Sequence, residues 1–166
     1  MSANTSYAEF IASKRAIAES VGFIVKPDDL HAALFPFQRS IVAWALKRGR
    51  AAIFADTGLG KTLMQLEWAR HVCSHTDGSV LILAPLAVAQ QTAREAEKLD
   101  LAVTICRTQD DVQPGVNITN YEMLSHFDPS AFSGLVLDES SILKSFDGKT
   151  RKALIAFADT IPLRLS

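Results

Sequence analysis

The sequence predicts an α/β fold: a parallel sheet covered by helices on both faces. Three observations carry that prediction. The strand candidates, such as Val80 to Ala84 and Leu135-Val136-Leu137, are short and apolar throughout, the pattern of strands buried on both sides. Helical segments separate them, and such alternation builds parallel sheets because parallel neighbours need a long crossover. A glycine-bearing loop, Ala55 to Thr62, stands between an apolar stretch and a helix. With 166 residues and 48% hydrophobic content, the chain has the length for one domain and the apolar surface for a real core. Its net charge of −1 excludes a blanket of positive charge but not a local basic stripe.

Each element follows from local signals. Residues 6–20 are Ala-rich with Phe10, Ile11 and Ala18, and read as an amphipathic helix ended by Gly22. Phe23-Ile24-Val25 is a short extended piece closed by Pro27. A second helix starts near Pro36, with Ile41, Trp44 and Ala45 on its buried face, and ends at Gly49 after the basic pair Lys47-Arg48. Ala51 to Ala55 reads as a strand, 56–60 as a turn, and 61–74 as a helix with Leu63, Leu66 and Ala69 inward. Then come strand 80–84, helix 86–98, strands 101–106 and 116–119, a short helix 121–127, strand 135–137, helix 150–158 and strand 163–165. The longest apolar run, Val80 to Ala89, is too short to span a bilayer and contains Pro85. Met1 to Phe10 lacks the pattern of a secretory signal. Cys73 and Cys106 stand in no metal or redox spacing and read as reduced, partly buried thiols, which points to the cytoplasm.

The loop Ala55-Asp56-Thr57-Gly58-Leu59-Gly60-Lys61-Thr62 fits the Walker A pattern with Ala for the first Gly. A triphosphate needs several donors at once, and a glycine-rich turn lets backbone N–H groups converge on it at a helix N-terminus. Thr57, Gly58, Leu59, Gly60, Lys61 and Thr62 are therefore the expected ATP-binding residues. Lys61 reaches the phosphate oxygens and the Thr62 hydroxyl ligates Mg2+. The matching acidic element is Leu135-Val136-Leu137-Asp138-Glu139, where an apolar strand ends in two carboxylates. Asp138 is expected to hold Mg2+, and Glu139 to orient and deprotonate the attacking water as a catalytic residue with Lys61. Neighbouring carboxylates on a strand diverge, so both roles require the backbone to turn after Asp138.

With these segments the chain resembles the first RecA-like lobe of superfamily 2 helicases, and within them the Swi/Snf-type translocases and their bacterial and phage relatives. Leu34-Phe35-Pro36-Phe37-Gln38 resembles the Q-motif, implying that Gln38 reads adenine. Leu83-Ala84-Pro85-Leu86 resembles motif Ia, and Ile118-Thr119-Asn120-Tyr121-Glu122 the segment that touches the tracking strand. The resemblance thereby makes Pro85, Gln90, Thr119 and Tyr121 candidate nucleic-acid contacts. Asp138 to Lys144 looks like motif II, with Lys144 in place but Ser140 and Ser141 where the family has Ala and His. Leu163 to Ser166 resembles the run into motif III. The expected organisation is a helical extension over 1–33 and a RecA-like P-loop lobe over 34–166, with the second lobe outside this sequence. The expected partners are DNA rather than RNA and that second lobe, and the setting a bacterial or phage-infected cytosol. Two other classes stay open: a stand-alone P-loop ATPase or kinase, and a non-hydrolysing ATP-gated binding module.

Other constellations have plainer readings. His71 and His75 have an i, i+4 spacing but no third ligand, which favours exposed or capping roles. Trp44 and Trp68 fall on apolar helix faces and are expected in the core. Lys47-Arg48-Gly49-Arg50 reads as a solvated helix end. Lys144, Lys149, Arg151 and Lys152 either line a nucleic-acid path or balance the acidic pair.

Overall fold

The computed structural model describes residues 19–56 and 58–166. Six strands form one sheet in which every pairing is parallel: β1 (Arg50–Ala51), β2 (Ser79–Ala84), β3 (Val103–Ile105), β4 (Val116–Asn120), β5 (Phe132–Leu137) and β6 (Leu163–Leu165). Their order is β1-β6-β5-β2-β4-β3. The apolar runs take the centre, as expected for strands covered on both faces. β2 pairs with β4 and β5 at once, with Ile82 opposite both Ile118 and Val136.

Strand alternation splits the core into two. Val80, Ile82, Ala84, Ile118 and Val136 face one side, against α1 (Pro36–Arg48), α2 (Lys61–Thr76) and α3 (Ala89–Ala96). Leu81, Leu83 and Leu135 face the other, against the 3-10 turn Tyr121–His126 and α4 (Gly148–Thr160). Trp68 is fully buried on the first side, as expected. Gly134 makes room for it: a Cβ there would stand 2.9 Å from Val72 and Val80 and 3.4 Å from the Trp68 ring.

Several elements differ from expectation at their edges. The strand placed at Ala51 to Ala55 is hydrogen-bonded as a ladder only over Arg50–Ala51, although Ile53 N–H still donates to the Ser166 carbonyl at 2.7 Å. The edge position explains this, since one neighbour cannot hold the chain extended as it leaves for the phosphate loop. Trp44 is 49% exposed. The buried stripe of α1 is Gln38, Val42, Ala45 and Leu46, a 3.6-residue period that leaves Trp44 outside it. Leu63 is half-buried. The helix expected over 86–98 is α3 followed by a 3-10 turn, Glu97–Leu99.

The expected helix over 6–20 falls almost wholly outside the described residues. Residues 19–33 are extended or turn-like apart from the 3-10 turn Pro27–Asp29. Phe23 N–H donates to the Leu46 carbonyl, and Leu30 and Leu34 enter the first core.

Candidate functional site

The phosphate loop and the acidic pair meet at the C-terminal edge of the sheet. Gly58 and Gly60 both take positive φ, +89° and +72°, which the turn into α2 demands. Gly60 is the N-cap of α2 and supplies no side-chain cap, so the first N–H groups of that helix stay available to an anion. Lys61 and Thr62 are the first residues of α2 and half-buried. Thr57 lies outside the described residues.

Asp138 follows β5. Its amide donates to the Leu83 carbonyl at 2.8 Å, which carries the β2–β5 pairing one residue further and buries the carboxylate to 8% exposure. Glu139 then adopts φ 52°, ψ 47°. This left-handed turn is the one the sequence requires, and for a non-glycine residue it stores about 1–2 kcal/mol. Both carboxylates consequently line one cavity of about 450 Å³ with Gly58, Gly60, Lys61 and Thr62. A second cavity of about 550 Å³ beside it takes Lys61, Glu139, Ser140, Ser141 and Lys144.

Gln65 was not among the sequence candidates. It is buried on α2, and its Nε2 donates to Asp138 Oδ1 at 3.2 Å. Its signal was positional: four residues after Lys61, it lies on the same helix face. This bond fixes the carboxylate's orientation, and the other oxygen is left for a metal or its water. A buried carboxylate, a Thr hydroxyl at a helix start and open space at Gly58 together fit a Mg2+–triphosphate group.

Gln38 is tied to the loop itself. Its Oε1 accepts from Phe35 N–H and its Nε2 donates to the Leu59 carbonyl, both at 2.8 Å. Each bond leaves one N–H and one lone pair of the amide unused, but Gln38 is 3% exposed, so a base reaches it only once it is uncovered.

The four candidate nucleic-acid contacts separate. Gln90, exposed on α3, and Thr119 on β4 line a common cavity of about 570 Å³ that Arg107 also enters. Thr119 is 2% exposed, and its hydroxyl has no partner among the described residues. Pro85 sits at the end of β2, half-buried, its carbonyl accepting from Val88 N–H. Tyr121 is buried as well, and its hydroxyl donates to the Asp138 carbonyl at 2.6 Å, which commits that group to bracing the acidic turn from behind. Burial pushes its phenol well above the ordinary range, and the Asp138 and Glu139 charges add to that.

The histidines serve separate contacts. His71 Nε2 bonds Glu67 Oε1 at 3.0 Å, and the His75 ring stacks on Phe23 at 3.7 Å. Both thiols are raised to about 11 by burial, which keeps them protonated and unreactive near neutral pH.

No family model and no curated protein sequence matches the chain. Among solved structures, T4 UvsW superposes with a TM-score of 0.66 at 18% identity, covering 98% of this chain and 34% of that one. The UvsW helicase from bacteriophage T4 superposes with a TM-score of 0.65 at 16% identity, covering 98% of this chain and 60% of that one. The chain thus spans about a third and three fifths of those two structures and shares their fold, an all-parallel six-strand α/β sheet with flanking helices.

Proposed function

We propose that the chain is the ATP-binding lobe of a nucleic-acid-dependent ATPase, a DNA helicase or translocase that joins it to a second RecA-like lobe. The observation carrying this reading is the convergence of the uncapped start of α2 with Asp138 and Glu139 on one cavity. The loop N–H groups and Lys61 hold the triphosphate. Thr62 and Asp138 hold Mg2+, which when bound neutralises charge on the phosphates. Glu139 takes the proton of the attacking water, and its exposed position beside Lys61 suits that role. A carboxylate so placed also argues against a module that only binds ATP. Gln38 serves the adenine once its buried amide is uncovered. Apolar side chains around the loop suit cover by a second lobe, with Phe54 99% exposed and Phe35, Phe37 and Leu59 also exposed. Dependence on nucleic acid separates this reading from a stand-alone P-loop ATPase or kinase, and rests on the cavity holding Gln90 and Thr119.

Lys61→Ala tests the core of the proposal. Loss of a cation paired with phosphate removes about 3 kcal/mol, so ATP affinity should fall by about 100-fold in a calorimetric titration. Tight ATP binding by that variant would remove the assignment.

A further inference from the structure

Residues 144–152, just beyond the acidic pair, concentrate four cations in a chain of net charge −1. Lys144 closes the 3-10 turn Ser140–Lys144, and Lys149, Arg151 and Lys152 lie in the first turns of α4. All four are exposed, and none makes an ion pair with another described residue. The stretch holds one acid, Asp147, whose carboxylate is engaged as the α4 cap, accepting from Thr150 N–H at 2.7 Å. Four cations within nine residues, with their one acid engaged, leave this stretch positive, which a polyanion complements.

Their placement singles out a partner. Lys149 and Thr150 line a cavity of about 660 Å³ whose opposite wall is the turn Tyr121–His126. Glu122 on that turn lines both this cavity and the one that holds Gln90, Arg107 and Thr119. Lys149 is therefore separated by one 3-10 turn from the surface already read as a nucleic-acid contact. The basic face also adjoins the cavities at the loop: Lys144 lines the one beside Lys61, and the Arg151 guanidinium donates to the Leu143 carbonyl at 3.1 Å, within the turn that follows Glu139.

We propose that this face is a second phosphate-contact surface, in which Lys149 and Lys152, flanked by Lys144 and Arg151, grip the phosphodiester backbone beyond the Tyr121–His126 turn. The inference rests on the nucleic-acid reading above. The cations are side chains of one helix end and turn with no amide or carboxylate fork among them, so they position the backbone without reading bases.

The test is anisotropy of a short labelled DNA duplex, titrated with the 166-residue chain at a series of salt concentrations. Lys149→Ala/Lys152→Ala removes two charges that no hydrogen bond ties to the fold, and leaves Arg151 on Leu143. Each lost phosphate contact lowers the slope of log K against log salt by about 0.9, so the double variant should lose about 1.8. Its ATP affinity should equal that of the unaltered chain. Lys26→Ala/Lys47→Ala, two exposed lysines that precede the phosphate loop, makes the same change of net charge and should leave the slope in place. An unchanged slope in the first double variant, or an equal loss in both, overturns this surface alone. An unaltered chain that binds ATP but no duplex overturns the nucleic-acid reading and this surface with it.

Discussion

Gly60 meets two demands that no other residue meets together. Its φ of +72° is strained for any side chain, and a Cβ there would stand 2.2 Å from Gln38 Nε2. Gly60→Ala must therefore displace either the loop or the amide that holds it. The strain is of order 1–3 kcal/mol, enough to weaken ATP binding by about 10-fold or more. Because the loop lies outside both cores, the melting temperature should move far less than a core truncation would move it. Fluorescent-nucleotide titration beside a thermal melt checks both halves; wild-type ATP affinity in the variant would remove the Gln38–loop contact from the account. At this scale the sequence conveys residues whose chemistry is local. Gly60, Lys61, Asp138 and Glu139 announce themselves by type and order. Gln65 does not, because its role exists only once α2 lies against the end of β5. The bond from Tyr121 to Asp138 is hidden for the same reason, since nothing in a Tyr-Glu pair says that the hydroxyl turns inward.

Among the elements, α2 carries the largest internal electrostatic commitment. Glu67 is completely buried within it. Burial pushes its carboxyl up, but hydrogen bonds from His71, from Arg70 and from the His31 N–H outweigh that and hold it at about 2, against an ordinary 4.5. A carboxyl depressed in the folded state contributes stability above its unfolded pKa and loses it as pH falls through the folded value. The window here runs from pH 4.5 down to about 2, and the shift amounts to about 3 kcal/mol. Urea midpoints should fall across that window in the unaltered chain. Glu67→Gln, which cannot titrate, should start less stable at pH 7 and show a flatter acid limb; parallel limbs in the two proteins would refute the assignment. The same cluster shows what periodicity conveys about elements. Central strands were readable because burial on both faces makes them apolar throughout. The triad of Glu67, Arg70 and His71 was not, since a polar residue inside a helix carries no mark of whether it meets water or a neighbouring segment. Likewise Trp44 drew the expected face of α1 towards itself by size alone, whereas the stripe is set by Val42, Ala45 and Leu46.

At the scale of the whole molecule, the arrangement of charge around the loop bears on turnover. The described residues lining the two cavities at the phosphate loop include two cations, Lys61 and Lys144, and no arginine. Phosphoryl transfer spreads negative charge over the oxygens of the transferred group, and an arginine placed against it is worth roughly 10³–10⁵ in rate. In the proposed role, Lys61 would meet the ground-state phosphates as much as the transition state and so raise affinity more than rate. The 166-residue chain should accordingly bind ATP, with an affinity that depends on Lys61, and hydrolyse it only slowly. A coupled phosphate-release assay, run with and without duplex DNA, checks this. The expected result is a rate near background in both, abolished by Glu139→Gln where it is measurable, with ATP binding by that variant intact. Robust DNA-stimulated turnover by this chain alone would mean that the groups lining its own cavities complete the site, and the expectation of slow hydrolysis would fall.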